Sequence, residues 1–486
     1  MIKTTMNLPI LTALLAGSVF AALLAGSAFA AGPTFNHDVA PLIYQNCAGC
    51  HRPGQVAPFS LLTYRDAASR APLIATVTAS RYMPPWKAEA GYGHFRDERR
   101  LSDQQIAMLR EWATHGAPEG DPKQRPAPPE FASGWLAGKP DAVLATPQPF
   151  PVAADGGDVF QCFVIPLEFG ADKFVKTVEF HPGNPKVVHH ALFFLDTTGE
   201  ARRLDAATPE PGYRCFGGPR IVPSGGLGGW APGATPEELP AGMAHAIDKG
   251  ADLVVQIHYH PSGKPETDQS SLGLTFTDQS TKGLANIIIG PRRIDLPAGD
   301  AHYVVTDWGT VPQDVELIGI TPHAHLLCKE MQVDARLPDG KVEPLIRIND
   351  WDFNWQGQYR YAESMKLPKG TRIEMRYVYD NSAANPHNPS NPPKDVKFGE
   401  QTTDEMGFAF LQVALPSRDD VRPFRRQMLL SRIEQMVAQG DDFAGLNQGQ
   451  AARLRAAMAM FDTNHDGKLD AEERARFMKF IDSYIK

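Results

Sequence analysis

The sequence predicts a multidomain chain: a small all-α domain, two β-sandwich domains and an α-helical tail, in that order. Three observations carry this. At 486 residues the chain exceeds what one ordinary hydrophobic core organises. From about Asp141 to Pro416, short runs rich in Val, Ile, Phe and Thr alternate with Pro and Gly, which is the spacing of strands and turns in β-sandwiches. On either side apolar residues recur at helical intervals, as at Ile106, Leu109 and Trp112.

Residues 1–30 read as a signal peptide. Lys3 supplies a positive start, a run of Leu, Ala, Val and Phe follows, and Ala28-Phe29-Ala30 offers a small-residue cleavage site. Gly17, Ser18, Gly26 and Ser27 interrupt the apolar run, which argues against a retained membrane helix, and no later stretch resembles one. The expected product is exported, periplasmic or secreted, with no membrane span after signal cleavage and in an oxidising compartment. The formal charge of −8 becomes −9 once Lys3 is removed, which argues against nucleic acid as a partner.

Residues 31–122 read as one small helical domain. Ser102 can cap its last helix, and Gly116 and Pro118 stop it. The domain holds Cys47-Ala48-Gly49-Cys50-His51. Two thiols at this spacing reach the two vinyl groups of one haem, and the adjacent imidazole meets the iron. A redox Cys-x-x-Cys would call for a βαβ context, and a zinc site for a second ligand pair; neither is present. Met83, before Pro84-Pro85, offers a thioether on a stiff loop as the second axial ligand. The segment resembles a class I-like cytochrome c domain carrying covalent haem c on Cys47, Cys50, His51 and Met83. A Pro-rich linker, 123–140, follows.

The β region divides into sandwiches at 141–290 and 291–416, and it carries three histidine clusters. His189-His190 follows Val187-Val188, His258 ends an apolar strand, and His323 and His325 stand two apart. Residues two apart on a strand share a face, so His323 and His325 can share a metal. Adjacent histidines face opposite ways, so His189 and His190 can converge only through a twist or at a strand end. Copper and zinc both suit imidazole.

The order His-His, Gln-x-His-Tyr, His-x-His, Asp-Glu-Met, over roughly Val159 to Leu415, resembles the copper type II, ascorbate-dependent monooxygenases, the family of the peptidylglycine α-hydroxylating and dopamine β-monooxygenases. The resemblance implies two copper ions on two jelly-roll β-sandwiches facing a solvent-filled cleft. It implies an electron-relaying copper at His189, His190 and His258, and an oxygen-binding catalytic copper at His323, His325 and Met406. A soft thioether at Met406 favours Cu(I). It implies no ligand role for His260, which is expected to lie behind the ligands or in solvent. It further implies a disulfide between Cys162 and Cys215, leaving Cys328 as a buried, inert thiol. Where the peptide-amidating members bind a substrate carboxylate, this chain has Thr321, Phe408 and Phe410. An apolar or aromatic substrate group is then expected, unless the two phenyl rings pack the core beneath Met406.

After 416 the pattern turns helical, 417–486. Asp462, Asn464, Asp466, Lys468 through its carbonyl, Asp470 and Glu473, with the turn at Gly467, fit an EF-hand Ca2+ loop. Gly440-Asp441-Asp442 is a candidate degenerate partner. The expectation is therefore an exported monooxygenase hydroxylating a C–H bond of a small organic substrate with O2, its electrons arriving through the haem from an external donor, ascorbate or a redox protein. The alternatives are a non-catalytic copper/haem electron-transfer protein and a zinc hydrolase on the same histidines.

Overall fold

The computed structural model describes residues 32–484 apart from 54, 56, 132–133, 217, 237, 279, 292, 400, 440–442 and 444–447. The expected signal peptide and the Gly440-Asp441-Asp442 segment lie outside the described residues. The architecture is mixed α/β, with several open β-sheets and helices toward both ends. No helix among the described residues is long and apolar enough to cross a membrane.

The chain divides into two compact units. The first runs to Met83 and resumes over Leu101–Pro129. Its main helices are Ala40–Asn46, Ala71–Ala79 and Asp103–Thr114. Ser102 caps the last of these: its hydroxyl accepts from Gln105 N, and Gln105 Oε1 accepts from Ser102 N. Leu109 and Trp112 of that helix then bury against Phe35, Ile43 and Ile74.

Residues 84–100, expected in the helical domain, belong to the second unit. The helix Ala71–Ala79 ends before Met83, and after Pro84-Pro85 an aromatic segment follows that finds its partners on strands. Ala88 bridges to Ile348 and Phe95 to Tyr361, while Trp86 sits edge-on to Tyr359 at 5.1 Å.

The rest of the second unit is built on two pairs of sheets. In the first pair a five-stranded sheet runs Tyr213–Arg214, Val159–Pro166, Asp252–Tyr259, Val188–Asp196, Gly225–Trp230. Its Phe163, Phe193 and Val255 share a core with Val175, Phe180 and Leu272 of a four-stranded sheet. In the second pair the sheet Gly283–Ile289, Gly407–Leu415, Val315–Ala324, Tyr359–Leu367 packs Ile287, Leu317 and Leu411 against Val333, Met375 and Tyr377 of another four-stranded sheet.

The boundary expected at 290 falls earlier, before Gly283. Ala285, Ile287 and Ile289 alternate inward and register with Val413, Leu411 and Ala409 of the second pair. The tail helices are Val421–Ala438, Gln448–Phe461 and Ala471–Tyr484. Phe424 joins the second pair's core, and Ile433 and Met436 pack with Phe477 and Ile481. Cys162 and Cys215 are disulfide-bonded with Cα atoms 5.8 Å apart.

Candidate metal centres

His189 and His190 are sequence neighbours on a strand, yet both reach one point. The register of Val188–Asp196 against Asp252–Tyr259 shifts between Val188 and His190, so one extra residue is accommodated there. Such a bulge re-aims side chains, and it supplies the twist that adjacent histidines need to converge. His258, paired opposite His190, completes the group. His190 Nδ1 lies 3.2 Å from His189 Nδ1 and 3.4 Å from His258 Nδ1. Among the described residues this is the one set of three or more His, Cys, Asp or Glu whose ligand atoms all fall within 4.8 Å of one another.

The spacing fits a metal. An ion about 2.0–2.1 Å from each of three imidazole nitrogens holds them about 3.3 Å apart. Burial pushes His189 down to about 4 and His190 well below the usual histidine value, so both rings stay neutral, the form that offers a lone pair. Phe160 stacks on His258 at 4.2 Å, and Asp158 Oδ2 lies 3.2 Å from His258 Nε2. The carboxylate thus stands beside the remote nitrogen, the usual place of a supporting group behind a ligating histidine.

The second group forms where Val315–Ala324 runs beside Gly407–Leu415. His323 Nε2 lies 3.1 Å from Met406 Sδ, and the His323 and His325 rings are 5.3 Å apart. His325 Nδ1 faces the Asp404 carbonyl at 3.0 Å, which puts a proton on Nδ1 and leaves Nε2 bare. Burial pushes His323 down to about 3 and His325 to about 4, so these rings are neutral too.

The surroundings of this group come from residues that carry no motif. Gln356 Nε2 donates to the Phe353 carbonyl, which turns Gln356 Oε1 toward His323 Nδ1 at 2.7 Å. His323 must then hold its proton on Nδ1 and present a bare Nε2 to Met406. Trp351 Nε1 donates to the His325 carbonyl. The Phe353 ring lies nearly parallel to His189 at 5.3 Å and edge-on to His325 at 5.8 Å, so it touches both groups. Glu405, fully buried, accepts from the backbone amides of His325, Leu327 and Met406. Nothing in the sequence singles out Asp158, Trp351, Phe353 or Gln356; they act through positions the fold alone brings together.

Phe408 and Phe410 stand cross-strand from His323 and Thr321. They share that face of the sheet, while their neighbours Ala409 and Leu411 fill the core. Ile288, opposite Phe410, is 51% exposed and extends the apolar strip. Both rings are half-buried, with Phe408 directly across the strand pair from His323. His260 is 67% exposed and meets Asp158 Oδ1 at 2.7 Å. Cys328 is buried, and burial raises its thiol far above the ordinary range.

In the first unit, Cys47 through His51 form a tight turn at the end of Ala40–Asn46, with His51 N donating to Cys47 O. His51 Nδ1 lies 3.1 Å from the Phe59 carbonyl, leaving Nε2 bare, and burial pushes the Cys47 thiol up to about 12. Met83 lies outside that turn, half-buried, with its amide on Val77 O.

In the 462–473 loop the side-chain oxygens fold onto backbone amides: Asp462 accepts from Gly467 N, Asn464 from Asp466 N, Asp466 from Lys468 N, and Asp470 from Glu473 N. Thr463 and backbone amides hold the Glu473 carboxyl down at about 2. No three carboxylates there come as close as the three histidines do.

No family model matches the chain, and no curated protein does. Among solved structures, the major capsid protein P2 of bacteriophage PM2 aligns over 56% of this chain and 96% of its own, at 8% identity and a TM-score of 0.24. The infectious bursal disease virus VP2 subviral particle aligns over 57% and 72%, at 9% identity and 0.17. A Paenibacillus xanthan lyase aligns over 62% and 29%, at 10% identity and 0.15. Likenesses this weak carry no argument about fold or function. The trihistidine cluster could hold a metal ion and is consistent with a copper-binding oxidase-like site.

Proposed function

We propose that the protein is an exported copper-dependent monooxygenase that hydroxylates a C–H bond of a small, apolar organic substrate with O2, drawing electrons through a c-type haem in its first unit. One observation carries the reading: two neutral donor groups of unequal softness, three imidazoles and two imidazoles with a thioether, both touch the ring of Phe353.

The residues fit the groups they would hold. His189, His190 and His258 form an all-nitrogen set at metal spacing. Bare His323 Nε2 and Met406 Sδ face each other at 3.1 Å with no proton between them, an arrangement that a soft cation relieves. Zinc has no use for the thioether, so copper is the better match. Cys47 and Cys50 with a bare His51 Nε2 would hold covalent haem, and Met83 would offer it a thioether. Bound copper supplies one-electron chemistry with oxygen, and the haem a reductant on the same chain.

The chain's own residues set the conditions for that chemistry. Gln356 and Asp404 fix the protons of His323 and His325 on Nδ1, so neither ring can turn its bare nitrogen away. Glu405 ties the backbones of His325 and Met406, holding donors from two strands in one place. Phe408, Phe410 and Ile288 offer an apolar wall beside His323, and Thr321 offers no cation, so a carboxylate substrate is disfavoured. The 462–473 loop is proposed to bind Ca2+ through Asp462, Asn464, Asp466, Lys468, Asp470 and Glu473 as a structural element of the tail. The electron source is an external donor, ascorbate or a redox protein, that reduces the haem.

Oxygen uptake by the copper-loaded protein with candidate apolar substrates tests the proposal. Met406→Ala should abolish oxygen-dependent hydroxylation and leave the haem spectrum intact. Hydroxylation that survives this change would refute the assignment, and a wild type that carries electrons without ever hydroxylating would favour the electron-transfer alternative. Zinc and no copper after copper-supplemented expression would point to a hydrolase.

A further inference from the structure

One carboxylate touches the first donor group and the turn that leads to Met406 of the second. Asp158 closes the Gly156-Gly157 turn before Val159–Pro166, and its side chain is 7% exposed. Oδ2 lies 3.2 Å from His258 Nε2 and accepts from Thr402 Oγ1 at 2.6 Å. Thr402 belongs to the turn that leads into Asp404, Glu405 and Met406. The Asp404 carbonyl faces His325 Nδ1, Glu405 accepts from His325 N and Met406 N, and Met406 Sδ faces His323. From the other direction Phe353, on the second sheet pair, lies on His189 of the first. The two ties start from opposite partners, one polar and one apolar, and each ends beside a candidate ligand.

We propose that Asp158 is a positioning residue for both groups, and that metal capture at His189, His190 and His258 is coupled through it to capture at His323, His325 and Met406. With a metal on Nδ1, the His258 ring would draw the Asp158 carboxylate, 3.2 Å from Nε2, toward it and narrow that carboxylate to one rotamer. Its second lone pair on Oδ2 then holds Thr402 in place, and the turn carrying Met406 is ordered before its own metal arrives. Coupling of this kind is reciprocal: an ordered Met406 turn equally prepares His258. The inference rests on the metal reading above, but not on which reaction the metals perform.

The test uses the full haem-containing protein, stripped of copper and titrated with Cu(I) against a competing chelator. Trihistidine occupancy is read from all-nitrogen X-ray absorption, and occupancy of the other group from sulfur scattering. Thr402→Val removes the hydroxyl on Asp158 and touches no histidine of the first group. It should still weaken the trihistidine site about tenfold, the size expected for losing a residue behind a ligand, and Thr402→Ser should restore it. Asp158→Asn should weaken both sites. Thr402→Val leaving trihistidine affinity within twofold of wild type overturns the coupling, as does Asp158→Asn weakening one site alone. A wild type that binds no copper at either group overturns the metal reading and the coupling with it; copper at both groups with independent affinities overturns the coupling alone.

Discussion

Gln356 Oε1 lies 2.7 Å from His323 Nδ1, and this single contact decides which ring nitrogen confronts Met406. Because Gln356 Nε2 is committed to the Phe353 carbonyl, the amide cannot flip without losing a hydrogen bond. Gln356→Leu keeps the bulk but removes the acceptor. Copper(I) affinity at the His323, His325 and Met406 group should fall about 10- to 100-fold, with thermal stability little changed. Chelator competition measures this, and an unchanged dissociation constant would show that ring orientation is set elsewhere.

His190 Nδ1, held 3.2 Å from His189 Nδ1 and 3.4 Å from His258 Nδ1, favours a bound cation over the empty fold. Copper at about 100 times its dissociation constant should stabilise the protein by about 2.7 kcal/mol. His190→Ala should lose one copper per chain by elemental analysis and most of the copper-dependent rise in Tm. Retention of the full copper complement would move the site away from His190.

The Cys162–Cys215 bond closes a loop of 53 residues and ties Val159–Pro166 to the segment after Tyr213–Arg214. Constraining the unfolded chain over that length is worth about 4 kcal/mol. The double change Cys162→Ala and Cys215→Ala should lower the stability of the first sheet pair by that order in urea unfolding. Coincident curves for the two proteins would argue against the constraint.

His245 is held down at about 4 by burial and the nearby Arg360 charge, against 6.5 when unfolded. The folded state therefore resists taking a proton that the unfolded chain accepts. Its contribution is present above pH 6.5 and is lost as pH falls toward 4. Tm should drop across that window, and His245→Gln should drop less. Parallel curves for the two proteins would remove His245 from the account.

Much of the candidate site was legible because a strand repeats every two residues. His323 and His325 share a face by that rule alone, and Ser102 with Gln105 announces a helix start by side-chain chemistry that needs no tertiary partner. His189 and His190 were harder. Adjacent strand residues converge only across a bulge, and a bulge depends on how two strands register, which one strand's sequence does not record. Gln356, Phe353 and Asp158 were invisible for a related reason: each sits in a loop with no period to betray it. The strand Gly283–Ile289 reads equally well as the end of one sandwich or the start of the next, and its partner at Leu411 settles the matter.

Sequence by itself determined which donors this protein owns: paired thiols beside a histidine, five histidines in three strand-borne clusters, a thioether after Asp404-Glu405, and an acidic loop between helices. Side-chain chemistry and local periodicity are properties of neighbours along the chain, so they can be read there. Only the tertiary structure decided which nitrogens are bare, which rings stay neutral, that Phe353 meets both donor groups, and that Asp158 meets His258 and Thr402. Those outcomes depend on burial and on hydrogen bonds between residues as much as 244 positions apart, and no local pattern along the chain encodes such meetings.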